Sequence, residues 1–215
     1  MIEIKKGKEP HGLIAYRKQS FATYDNMPKE VHETVLNSLM AEQGYICAYC
    51  MRRIPQSGKN PPATIEHIDP QSNTDAAKAL DYRNMLAVCN GNRGCGAKKN
   101  MTCDAKRGND ALKVNPLKPE TLKSIRYKKD GTIYSDDKVI NEDLNDRLNL
   151  NCQTLGLPDI RRKAQQEMIN QISKKRSSGD IKPLCLKYLA ACQQQTKKTP
   201  YIGILISWLE KKIAK

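Results

Sequence analysis

The sequence is short of aromatic residues, of histidine and of long apolar runs, and each shortage removes a class of function. Aromatic side chains make up 5% of the chain, and nine of them are tyrosine. A protein that holds single strands by stacking bases on a platform of rings needs more than that. The longest apolar stretch, YIGILISWL at 201–209, falls far short of the roughly 20 residues that cross a bilayer. No polybasic run flanks a membrane-length segment, so an anionic membrane surface is a poor partner. The stretch MIEIKKGKEP places charges where a secretory signal has its apolar region. These absences predict a cytoplasmic chain. In that compartment the eight cysteines serve as thiols or metal ligands rather than disulfides. Internal repeats and long low-complexity tracts are also missing.

Positive charge, by contrast, is plentiful. Lys and Arg number 37 against 23 Asp and Glu, a net charge of +14. Such an excess favours a polyanionic partner, most simply nucleic acid. At 215 residues the chain can bury a core without disulfides, as one domain with an extension or two small ones.

Periodicity gives a coarse map. Residues 1–28 read as basic and irregular. A helix is predicted over 29–43, with Pro28 near its start, Val31, Val35, Leu36 and Leu39 on one face, and Gly44 as its stop. Residues 45–54 read as strand, knuckle and strand, and 56–64 as a loop. Residues 64–70 read as extended, 71–84 as loop with one helical turn, 85–89 as a short strand. The Gly-, Asn- and Lys-rich 90–102 reads as a loop, and 103–112 as the start of a helix. SIRYKKDGTIYS at 124–135 predicts a hairpin around Lys-Asp-Gly. Helical character follows at 141–150, 158–175, 183–195 and 200–214, with Ser177-Ser178-Gly179 as a break. In the last helix Ile202, Leu205, Ile206, Leu209 and Ile213 keep core-packing spacing.

Cys47-Ala-Tyr-Cys50 is a C-x2-C on a predicted turn, two corners of a tetrahedral zinc site. A second C-x2-C is missing, so the other two corners come from Cys89, Cys95 and Cys103. Either Cys89 joins Cys103 across a long insertion, or Cys89 joins Cys95. The first is favoured, because CDAKRGN around Cys103 reads as the start of a closing helix. A thioredoxin-like role would want a flanking βαβ pattern, which is absent. Cys152, Cys185 and Cys192 read as core thiols.

Residues 63–72, ATIEHIDPQS, place Glu66 directly before His67. Hydrolysing a phosphodiester with one metal ion needs a base for water, hard oxygen ligands for the cation, a group that fixes the base, and cations facing phosphate. On an extended segment adjacent side chains diverge, so Glu66 can face metal while His67 faces water. Asn84 can fix the loop that carries the base. Asp104 is a second oxygen donor, and Lys98, Lys99, Lys106 and Arg107 lie where phosphate contacts would. The plainer alternatives are a salt bridge for Glu66, helix capping for Asp104 and a turn before Pro70 for Asp69. His11 and His32 have no comparable setting.

The order CAYC, IEHIDP, YRNMLAVC and CDAKRGN resembles the HNH (ββα-metal) endonucleases. The resemblance covers about 47–108. It implies His67 as general base, Glu66 and Asp104 as ligands of a catalytic Mg²⁺ or Mn²⁺, Asn84 as the structural Asn of the active site, and a structural Zn²⁺ on the cysteines. The third signature position carries Asp104 where the family has His or Asn. With NPLKPE and DLNDRLNLN added, the likeness extends to about residue 155. There it resembles the PtuB family, the HNH subunits of Septu-type antiphage systems, also found beside retron reverse transcriptases. That likeness implies an ATPase partner of the PtuA type, and beyond it a retron reverse transcriptase with its multicopy single-stranded DNA.

The fold expectation is therefore α+β. A basic arm and helix (1–45) precede a zinc-stapled ββα-metal core (46–118), and a hairpin with a helical C-terminal region (119–215) offers a partner-docking surface. The expected activity is endonucleolytic, with DNA favoured over RNA, tRNA included. The rival class is a non-catalytic zinc-stapled subunit that binds nucleic acid or bridges partners.

Overall fold

The computed structural model describes residues 1–55, 63–73, 75–175 and 180–214. Of the expected loop at 56–64, residues 56–62 lie outside the described residues, as does the break at Ser177-Ser178-Gly179. The fold is mixed α and β, with two small antiparallel sheets among helices in the described residues.

The first section is more ordered than its composition suggests. Helix α1 (His11–Arg17) follows Pro10 and buries Leu13 and Tyr16. Seven residues with two buried positions are too few to show a period. Helix α2 (Lys29–Glu42) follows Pro28 and buries Val35, Leu39 and Met40, while Val31 and Leu36 pack at the core edge. It ends at Gly44, whose φ is +66°. A Cβ there would sit 2.8 Å from the Lys198 amide nitrogen, so both conformation and close approach require glycine.

The knuckle at 46–53 is narrower than a full strand pair. Only Ile46 and Arg53 bridge. Strand β1 (Thr64–His67) pairs antiparallel with β2 (Met85–Val88), placing Glu66 opposite Leu86 and His67 opposite Met85. The connection holds two 3-10 turns and the short helix α3 (Ala76–Ala79), capped by Asp75. Every residue of β2 is buried. Its free edge is closed by Gln43, whose amide accepts from Ala87 N at 2.8 Å and donates to Ala87 O at 2.7 Å. With the Ala48 amide also donating to Ala87 O and Lys6 Nζ to Met85 O, these groups stand in for a neighbouring strand.

Helix α4 (Cys103–Arg107) is shorter than the expected 103–112, because Gly108 turns the chain at φ +60°. Helix α5 (Pro119–Leu122) leads into the hairpin of β3 (Ile125–Tyr127) and β4 (Ile133–Ser135). Helix α6 (Lys138–Glu142) starts earlier than periodicity suggests, because Asp137 caps it. It continues as a π-helical turn over Asp143–Arg147. Helices α7 (Leu157–Lys175), α8 (Lys182–Gln194) and α9 (Ile202–Ile213) complete the chain. Among the described residues, no helix is long and apolar enough to cross a membrane.

One apolar cluster joins all three sections, from Leu13 and Leu39 through Leu86 and Val114 to Leu144 and Leu209. Buried polar groups bind the later elements to it. Arg161 of α7 donates to Gly131 O at 2.6 Å, Leu150 O at 2.8 Å and Asn151 Oδ1 at 2.7 Å. Buried Asp143 accepts from the amides of Lys113 and Val114. The segment before α9 is stitched to the knuckle, through Tyr201 N to Met51 O and Lys198 N to Gly44 O.

Leu209 is fully buried, so Leu209→Ala is expected to cost about 2–5 kcal/mol, read by urea denaturation. A chain ending at residue 200 is expected to lose its cooperative transition. A truncated chain that unfolds as sharply as the full one would show that α9 is not part of the core.

Candidate functional site

The four sulfurs come from three stretches of chain. The knuckle presents Cys47 and Cys50, closed by Cys47 N to Arg52 O at 2.9 Å and Met51 N to Cys47 O at 3.0 Å. Met51 turns it at φ +61°, an uncommon conformation for a side-chain-bearing residue. Cys89 follows directly on β2. Cys103 opens α4 at φ +55°, held by its N–H, which donates to Leu148 O at 2.9 Å.

All four are buried, and their Sγ atoms lie within 4.8 Å of one another. Three edges are 3.7 Å (Cys50–Cys89), 3.8 Å (Cys47–Cys103) and 3.8 Å (Cys89–Cys103). Sulfurs bound to one zinc ion at about 2.3 Å stand about 3.8 Å apart in a tetrahedron. These separations are far above a disulfide bond of about 2.05 Å. The donor set and its dimensions fit a zinc ion. Cys95 is exposed, with its thiol turned to Ala97 O at 3.4 Å, and does not join the group. The cluster is therefore Cys47, Cys50, Cys89 and Cys103.

The close sulfurs shift one another's ionisation in opposite directions. Burial opposes ionisation of the Cys50 thiol, but hydrogen bonds from Cys103, Cys47 and Cys89 outweigh it and hold Cys50 well below the usual thiol range. Cys103 is pushed well above it by its sulfur neighbours and burial. Negative charge on the sulfurs also raises the Arg52 guanidinium, against its burial.

His67 and Glu66 sit beside the cluster on β1, both 6% exposed. The His67 Nε2 lies 2.9 Å from Ala79 O. A carbonyl only accepts, so Nε2 carries the proton and Nδ1 holds the lone pair. Burial holds the imidazole below its ordinary value, so its neutral form prevails at pH 7. Tyr24 packs edge-on against it, ring centroids 4.5 Å apart and planes at 84°.

Glu66 is more enclosed than its expected role implies. Its Oε1 accepts from Tyr49 Oη at 3.0 Å and from the Arg107 guanidinium. Burial and the facing Asp104 carboxylate push Glu66 up to about 8, against the pull of Arg107. Two carboxylates within hydrogen-bonding reach repel unless a proton or a cation lies between them. Asp104, in the first turn of α4, also pairs with Arg93 from the glycine-rich loop. It is not the helix cap, since the cap position is Thr102. Among the described residues, the cysteines form the group of three or more such side chains whose ligand atoms converge. Glu66 and Asp104 meet as a pair without the imidazole as a third donor.

Asn84 stands where a loop-fixing residue is needed. Its Oδ1 accepts from Asp69 N at 2.8 Å, and its Nδ2 donates to Asp69 O at 3.2 Å and Lys78 O at 3.3 Å. It thereby holds both the end of β1 and the segment that presents Ala79. Asp69 pairs with Lys78. Lys98 and Lys99 lie exposed on a 3-10 turn and Lys106 is half-buried on α4.

Arg107 differs from its expected place on a phosphate-facing surface. It is 1% exposed and donates to Asp110 O, His67 O and Ile68 O as well as to Tyr49 and Glu66. Burial of Glu66 draws this charge inward. Arg93, Tyr24 and Tyr49 also belong to the site, and the sequence around Arg93 and Tyr24 carries no signal for it. Only the hydroxyl-bearing CAYC turn could have pointed to Tyr49.

No protein-family model matches the chain, and no curated protein matches it either.

The cluster predicts one zinc ion per chain by elemental analysis. Chelation or Cys103→Ser is expected to abolish binding and broaden or remove the unfolding transition. Cys95→Ser should change stability by no more than about 0.5 kcal/mol. Zinc retained in the Cys103 variant but lost in the Cys95 variant would reverse the assignment.

Proposed function

We propose that the chain is a metal-dependent HNH-type endonuclease that hydrolyses nucleic-acid phosphodiester bonds, with His67 as general base. The observation that carries this reading is the imidazole itself. It is neutral, its proton is committed to the Ala79 carbonyl, and its lone pair is left on Nδ1, on a strand whose preceding residue, Glu66, meets Asp104.

In this reading Nδ1 removes a proton from the attacking water. The Ala79 carbonyl stabilises the imidazolium that forms, and Asn84 keeps that carbonyl in place. Glu66 and Asp104 would hold Mg²⁺ or Mn²⁺, which when bound supplies positive charge to the scissile phosphate and the leaving oxygen. Such a cation would relieve the repulsion that raises Glu66. Lys98, Lys99 and Lys106 supply phosphate contacts, and Arg93 adds one at the mouth of the site. The cysteine cluster is structural and, in this reading, holds zinc.

The net charge of +14 supports a nucleic-acid substrate. DNA is the favoured one by resemblance, and tRNA or other RNA the second. The motif order supports a place in antiphage defence with a PtuA-type ATPase, and with a retron reverse transcriptase and its multicopy single-stranded DNA where those are encoded nearby. Exposed surface on the C-terminal helices is the proposed docking site for the ATPase.

A second reading keeps the zinc-stapled module but makes it a non-catalytic binding or bridging subunit. The pairing of Glu66 with Arg107 and of Asp104 with Arg93 favours it, since both oxygen donors already have cationic partners.

The test is cleavage of labelled DNA and tRNA in Mg²⁺ or Mn²⁺, with and without the ATPase, beside His67→Ala. Loss of the base is expected to slow cleavage about 10²–10⁴-fold. Protonation at low pH fills Nδ1, so activity is lost as pH falls. Because burial lowers the imidazole, the acid limb is expected below the ordinary histidine value of about 6.5. Cleavage that survives His67→Ala, or none with the partner present, would favour the binding module.

A further inference from the structure

The expected catalytic parts all lie between residues 66 and 107, yet the imidazole is completed by a residue from the N-terminal section. Tyr24 touches His67 edge-on at 4.5 Å between centroids. It also meets His32 of α2 at 6.2 Å and 61°, so it stands between the two histidines as a wedge.

Its own placement is fixed. The neighbouring residue Thr23 is held by Tyr16, whose Oη donates to Thr23 O at 2.8 Å and accepts from Thr23 N at 3.2 Å. Tyr16 is 2% exposed on α1. Beyond Tyr24, Met27 N returns to Tyr24 O at 3.2 Å. The segment is therefore tied on both sides of the ring, although most of it faces solvent.

The imidazole turns about its Cβ–Cγ bond, and a single hydrogen bond at Nε2 restrains that rotation only in part. A ring packed edge-on removes that freedom, since turning the imidazole would drive its edge into the tyrosine. Burial, then the carboxylates of Asp104, Asp25 and Glu66, push the Tyr24 hydroxyl up to about 12, so it keeps its proton.

We propose that Tyr24 is a positioning residue for His67, whose ring locks the imidazole plane and so aims Nδ1 at the water to be activated. This rests on the nuclease reading above. It assigns to the segment before α2 a part in the site, through ring packing rather than through the hydroxyl.

The experiment compares wild type, Tyr24→Phe, Tyr24→Leu and His67→Ala in the cleavage assay, under the conditions where wild type cuts. In parallel, histidine ring protons are followed by NMR, His67→Ala identifying the His67 signals. Tyr24→Leu is expected to lower kcat on the order of 10- to 100-fold with KM little changed, and to remove the ring-current displacement of the His67 signals. Tyr24→Phe keeps the ring and is expected to restore both. Full kcat in Tyr24→Leu overturns the proposal, as does a Phe variant as slow as the Leu one, which would make the hydroxyl the working group. His67 signals unmoved by Tyr24→Leu also overturn it, whether or not the protein cuts. A wild type that cuts nothing, or His67→Ala that cuts equally well, sinks the nuclease reading instead and leaves the NMR arm to judge the packing.

Discussion

Four sulfur atoms from three separate stretches must meet within one bond-length shell, and much of the nearby geometry follows from that. The knuckle turns at Met51 with a left-handed backbone because Cys47 and Cys50 must face the same point. Strand β2 stops at Val88 so that Cys89 can join them. Helix α4 begins at Cys103 in an equally uncommon conformation. Strands of four residues and a helix of five have little stability of their own. The convergence of the four cysteines, where a metal ion could bind, stands in for the long elements that would otherwise be needed to hold β1 in place.

Beneath that hairpin lies an internal ion pair. Glu66 and Arg107 are both almost wholly buried. Withdrawing the guanidinium from water is costly, and the arrangement is tolerable because its remaining hydrogen-bonding capacity is used. Arg107 does this by reaching the carbonyls of His67, Ile68 and Asp110. It therefore ties the end of β1 to the end of α4, the two elements that carry the candidate histidine and Asp104. The arginine's contribution is geometric: it fixes the separation between strand and helix more tightly than an apolar contact could.

The sequence made some of this legible and hid the rest for physical reasons. The cysteine grouping was readable because C-x2-C spacing is set by a turn, and because the residues around Cys103 read as a helix start whereas those around Cys95 do not. Helix α2, the β3–β4 hairpin and α9 announced themselves by period and by turn chemistry. The extent of α4 did not, because a glycine at positive φ and an arginine drawn inward ended it. Helix α1 escaped notice because two buried residues define no period. Glu66, His67 and Asn84 stood out by their order along the chain, but the acceptor of the His67 proton is a backbone carbonyl, to which no side chain points. The contacts of Tyr24 and Arg93 are made across the fold, 43 residues away from His67 and 11 away from Asp104, where no local pattern records them.

The bond between the Tyr201 amide and the Met51 carbonyl spans 150 residues. The four clustered cysteines lie within 56 positions of one another, so they can meet before α9 packs. The carbonyl of Met51 and the apolar side of the knuckle wait for the final helix. A ligand-competent sulfur centre can thus exist before the core around it is closed, and that interval is one of exposed apolar surface. Contacts of such long sequence separation form slowly, which prolongs that interval.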